Sequence, residues 1–301
     1  MRLFVCGVGL CLGIVATGST ARAQAWVGGK GEVDASLDYN LGISDKVVGD
    51  QNVEFPDAGT TTHQITLAAE YVPIEHLAVE ASLPMGFFKY TGSKTAYPHP
   101  GGGRYDDGST HATLTDLRAA VRYQVLEDPL AISPYIGVSI PVAGYETVGN
   151  TVAGRHLKAL HFGAAFGRLI TDELYIHASY EFSWVEKYDR VADTAKYGQN
   201  HSDAAITLGY KLLDDRLDVN VDANMRITHD GVNFSNFANL TPDEQLYHDA
   251  ILRESIFLVG AGLGYQLTDA VAVSLAARFF VGGVNTQNAN VYALGLAWRT
   301  L

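Results

Sequence analysis

The chain is short of three things. Only two of its 301 residues are cysteine, and both, Cys6 and Cys11, fall within the first 23. Beyond that point there is no thiol, so neither a disulfide framework nor cysteine chemistry is available. No apolar run of about 18 residues follows Ala23, which excludes a transmembrane helix. Positive charge is scarce: 21 Lys+Arg stand against 33 Asp+Glu. Arg2 and Arg22 lie in the first 23 residues, so the remainder carries 19 bases, 33 acids and a formal charge of −14. An excess of that sign argues against nucleic acid as a partner.

What is present begins with a leader. Arg2, an apolar run from Leu3 to Val15 and Ala21-Arg22-Ala23 have the layout of a secretory signal peptide with an A-x-A cleavage site. Residues 1–23 are therefore expected to be removed, and residues 24–301 to form one domain.

That domain is written in a period of two. In the stretch 115–142, Leu117, Ala119, Val121, Tyr123 and Val125 alternate with Asp116, Arg118, Ala120, Arg122 and Gln124. After Glu127-Asp128-Pro129 the alternation resumes, with Ile132, Ile136, Val138, Ile140 and Val142 on one face. Alternation at this period marks a strand with one apolar face, and the short break marks a hairpin. Ten further runs repeat the pattern, and the count comes to about twelve strands. Short connections near 73–76, 127–130, 169–173, 213–216 and 267–270 alternate with long ones near 42–62, 90–112, 143–157, 186–201 and 229–250. An even strand number with turns on one side and loops on the other predicts an all-β, transmembrane, antiparallel up-and-down β-barrel. Its short turns would be periplasmic and its long loops extracellular, in the outer membrane of a Gram-negative bacterium. Tyr71, Tyr123, Tyr210 and Tyr265 each precede a short turn on the apolar face, as one interfacial girdle requires. Tyr90, Phe182, Trp184 and Phe279 are expected in the other.

The runs LPMG, TDLRAAVRYQVLED and ISPYIGVSIPV resemble the family described as MetA-pathway of phenol degradation, with Asp116, Leu117, Tyr123, Leu126, Pro141 and Gly144 in the matching places. The resemblance spans Leu83 to Leu213. It implies an outer-membrane channel for small apolar or aromatic compounds, and it transfers no catalytic residue.

In a barrel of this kind the polar face of each strand turns inward. The candidate pore lining is then Asp34, Asp38, Glu70, Glu80, Asp116, Arg118, Arg122, His177, Glu181, Asp218, Asn220, Asp222, Arg226 and Arg278. With the inward-facing Glu32, Asp203, Glu254, Lys30 and Lys211 added, acids outnumber bases eleven to six, which predicts a modest preference for cations. Pro84 cannot donate to a ladder and Gly86 follows it, so a kink in the wall is expected there. The pair His177 and Ser179 shares the inward face, but no third partner orients it, and no enzyme is expected. No HxH or HExxH spacing occurs, so no metal and no cofactor are expected. The sequence reads as a monomeric channel for passive uptake of small molecules, in contact with outer-membrane lipid and lipopolysaccharide. A structural or adhesive barrel without transport is the rival, and a membrane-embedded lipid hydrolase is less favoured.

Overall fold

The computed structural model describes residues 25–51, 54–92, 106–149, 151–189, 197–233, 235 and 241–300. The expected leader and the tip of the Gly/Pro/His-rich loop, with His99, lie outside the described residues. The elements in chain order are β1 (Val33–Val48), β2 (Glu54–Ile74), β3 (Leu77–Tyr90), β4 (Thr110–Leu114), β5 (Asp116–Tyr123), β6 (Ala131–Pro141) and β7 (Ala159–Leu169). Then come β8 (Leu174–Val185), β9 (His201–Leu212), β10 (Leu217–Thr228), the short helices α1 (Pro242–Leu246) and α2 (His248–Ile251), β11 (Ser255–Gln266), β12 (Val271–Val284), β13 (Thr286–Gln287) and β14 (Asn290–Arg299).

Each long strand pairs antiparallel with its neighbours, and the ring closes through β1. Asp38 of β1 stands opposite Thr66 of β2 on one side and Gly295 of β14 on the other. Twelve strands make the wall. β4 is the upper part of the β5 strand, and β13 is a short addition on β1. Closure leaves no row of unpaired N–H and C=O groups, which is the condition for a sheet to sit in hydrocarbon.

The facing is inverted relative to a water-soluble sheet. Val221, Leu208, Leu263 and Leu275 are exposed, while Arg122, Asp218, Glu181 and Arg278 are buried. An arginine at Val221, 55% exposed on the outside, is expected to cost about 2–4 kcal/mol at the bilayer midplane. Asn220→Arg should cost much less. Equal losses in a reversible unfolding assay from bilayers would refute this facing.

Tyr71, Tyr123, Tyr210 and Tyr265 all point outward at the turn end, each at least 40% exposed. At the loop end Trp184 and Phe279 point outward too, but Tyr90 is buried, contrary to its expected place in the girdle. The reason is its phase: β3 turns Leu77, Val79 and Met85 outward, so the even-numbered Tyr90 faces the lumen. The expected loop over 42–62 is also corrected. Most of it is ladder, because β1 and β2 continue together to Val48 and Glu54. Polar residues fall on both faces of this arm, so the alternation fades although the pairing does not, and Val47 and Ala58 are still fully buried.

Two cysteines placed at Asp107 and Asp215, both largely exposed, test the orientation. On intact cells an impermeant thiol reagent should label the first and not the second.

Candidate functional site

The inner wall encloses a cavity of about 580 Å³. It is bordered by Asp34, Asp38, Glu70, Glu80, Asp116, Arg118, Arg122, His177, Glu181, Asp222, Arg226 and Arg278. Asp218 and Asn220 do not border it. They hold each other instead, Asn220 donating to Asp218 at 2.7 Å, near the turn end.

The charged groups are not loose. Arg122 is almost fully buried and donates to Glu80 at 2.7 Å and to Glu70. Arg118 forks onto Glu181, with Nη1 3.0 Å from Oε1. Arg226 meets Asp203 at 2.7 Å, and Arg278 meets Asp222 at 2.5 Å. Arg299 reaches Asp34 at 2.6 Å and Glu32 at 2.7 Å, and Arg155 lies 3.3 Å from Glu254. Every one of these six arginines therefore has a carboxylate. A buried guanidinium without one would carry a large desolvation cost.

Sequence reasoning missed Arg155 and Arg299 as lumen residues. Arg155 is invisible to alternation because it sits between strands, on a segment that folds into the barrel with Ala153 and Leu157. Arg299 has the inward phase of β14, one residue beyond where the apolar pattern stops. The expected charge excess shrinks accordingly. Asp222 is held by Arg278, so replacing it with asparagine would free a cation rather than merely remove an anion.

Pro84 and Gly86 do not part the wall. β3 runs through both, with Thr66 and Gln64 of β2 opposite them. The irregularity falls on the next strand, at Thr115, between β4 and β5. Thr115 N donates to the Pro84 carbonyl at 3.1 Å, but Pro84 has no N–H to return. The Thr115 carbonyl accepts from Val142 N instead, at 3.2 Å. At Gly86 a Cβ would lie 2.1 Å from the Phe88 ring, so this glycine makes room for an aromatic inside the lumen.

Both mouths are narrowed by chain. At the turn end the segment before β1 crosses the lumen to the far wall. Ala25 is fully buried against Ala131 and Ala165, its carbonyl accepts from Ser133 at 2.5 Å, and Val27 N donates to Gln124 at 2.8 Å. The Trp26 ring occupies the space a Cβ on Gly167 would need, 2.4 Å away. At the loop end Tyr145 and Ala153 pack on Phe88, and Tyr145 donates to Asp116. Above them α2 contributes Ile251, which packs with Leu157, Val185 and Tyr188.

Among the described residues, no group of three or more His, Asp or Glu side chains is placed to hold a metal ion. His111, on the loop side, is tied to Asp107 at 2.8 Å, and hydrogen bonds from Ser109 and His111 hold Asp107 well below the usual carboxylate range. His177 and Ser179 border the cavity, yet no hydrogen bond joins them among the described residues, and His177 Nε2 has no partner.

A closed twelve-stranded barrel with an apolar outer belt, aromatic girdles and a charged lumen is an outer-membrane β-barrel. Solved structures agree. The fold is similar to an outer-membrane channel from Pseudomonas putida F1, with a TM-score of 0.69, 12% identity and coverage of 92% of this chain and 98% of that one. It is also similar to the NanC porin (TM-score 0.50, 11% identity, 88% and 100% covered). The translocator domain of the autotransporter NalP from Neisseria meningitidis gives a TM-score of 0.50 at 12% identity, with 91% and 90% covered. No family model and no curated protein matches the sequence.

Proposed function

We propose that this barrel is a monomeric outer-membrane channel for passive uptake of small molecules with an apolar or aromatic part, exported with a leader cleaved after Ala23. The observation that carries the reading is the mixture inside the lumen. Phe88, Leu157, Val185, Ile256 and Leu258 share the cavity wall with the paired charges. A wholly polar wall would favour ions and sugars. A wall of neutralised ion pairs interleaved with aliphatic and aromatic side chains offers an amphipathic solute contact along its whole length. The resemblance to the MetA-pathway of phenol degradation family supports the same class of solute. The outward belt would face lipid, and the extended β1–β2 arm would stand at the level of lipopolysaccharide.

The test is conductance across a planar bilayer, with and without a small aromatic alcohol. A solute that enters the lumen should interrupt the ionic current in a concentration-dependent way. A small neutral sugar should interrupt it less. With six arginines each neutralised by a carboxylate, ion selectivity should be weak and should shift toward anions in Asp222→Asn. A barrel that never conducts, in any solute, would favour the structural or adhesive reading.

A further inference from the structure

We propose that the lumen holds a Ser–His–Glu hydrolytic site made of Ser139, His161 and Glu181, acting on small carboxylic esters. The proposal does not depend on passage through the barrel. The three residues stand on successive strands, β6, β7 and β8, all on the inward face. Ser139 Oγ lies 2.7 Å from His161 Nε2, and His161 Nδ1 lies 3.1 Å from Glu181 Oε1. Nucleophile, base and orienting carboxylate thus stand within hydrogen-bond reach in the order that acyl transfer uses.

The tautomer follows from the neighbours. A carboxylate can only accept, so the imidazole proton sits on Nδ1, where Ser183 Oγ is also within 2.9 Å. Ser183 in turn donates to Glu181 at 3.5 Å. Nε2 is left with its lone pair toward the Ser139 hydroxyl, which is the arrangement of a general base. The imidazole and the carboxylate are both buried, while Ser139 and His161 border the cavity. Arg118 fixes the plane of Glu181 through two N–H groups. It is also the cross-strand partner of Ser139. Its remaining donors provide the positive group needed beside a developing oxyanion, because the strand amides are engaged in the ladder.

The chemistry balances with water as the second substrate. Ser139 Oγ bonds to the acyl carbon while its proton passes to His161 Nε2. The bond from that carbon to the alkoxy oxygen breaks, and the proton leaves with the alcohol. Water then gives a proton to Nε2 and its oxygen to the acyl carbon. The acid departs and Oγ recovers the proton.

The full barrel in detergent is treated with a small fluorophosphonate, which bonds to an activated serine oxygen and expels fluoride, and is mapped by peptide mass. The expected adduct is on Ser139, is absent in Ser139→Ala, and forms at least roughly 100-fold more slowly in His161→Asn. Both variants are first checked for the heat-dependent gel shift of a folded barrel. In Glu181→Gln, the maximal labelling rate should fall while the half-saturating reagent concentration holds, a split that a merely structural carboxylate would not produce. Ser139→Cys with a small methanethiosulfonate reports access. Should the thiol react while the unaltered protein takes no fluorophosphonate, the cluster is only a structural network. Should the thiol not react, no ester could arrive either, and the proposal also fails.

Discussion

Removing residues 25–29 should raise single-channel conductance several-fold. The segment crosses the turn-end mouth and anchors on the far wall, through the Ala25 carbonyl on Ser133 and Val27 N on Gln124. The Trp26 ring fills the remaining space against Gly167. Ionic current depends on the narrowest cross-section, so withdrawing an indole and its backbone should change it more than any substitution on the wall. The barrel should survive, because β1 starts at Val33 and its ladders to β2 and β14 begin beyond the deletion. Trp26→Ala should give a smaller rise of the same sign. Planar-bilayer recording measures both. Unchanged conductance in the deletion would place the limiting constriction at the loop end, at Phe88 and Tyr145.

The largest stability effect should come from Arg122→Met. Arg122 is 5% exposed and joins Glu70 and Glu80, two acids on neighbouring strands. The substitution keeps most of the side-chain length and removes the charge, leaving two close carboxylates without their shared cation. Breaking a buried pair in this way typically costs about 3–5 kcal/mol. Adding Glu70→Gln and Glu80→Gln to the same chain should recover most of the loss, because the uncompensated charges go with the arginine. Unfolding from bilayers by denaturant measures the difference. A single variant as stable as the parent would mean that water enters freely around this cluster.

Much of the candidate site could be read in advance, but as a list rather than as a site. The phase of each strand placed Arg118, Glu181 and Asp222 inside, since a one-residue slip would put charges into lipid. It did not pair them. The sequence-adjacent His177 and Ser179 drew attention as a hydrolytic pair, and the structure leaves them unjoined. Ser139, His161 and Glu181 come together only because of the registers between β6, β7 and β8, in which His161 faces Gly137 on one side and Ser183 on the other. Glycine at 163 helps there. A side chain at that position would strike the Tyr135 ring, 2.3 Å from its Cβ. No spacing rule within one strand reports such a meeting.

The sequence by itself determined the barrel, its strand number near twelve, the outward belt and the tyrosine girdle. Those follow from local alternation and turn chemistry, because each strand must show one face to hydrocarbon whatever its partners do. It also determined that no cysteine thiol is available beyond Ala23. Only the tertiary structure decided what the lumen is. The crossing of Ala25–Val27 to the far wall, the inward fold of Ala153 to Leu157, and the pairing of six arginines with their carboxylates are contacts between residues far apart in the chain. Their partners are set by register and by closure of the ring, and neither leaves a mark in a two-residue period.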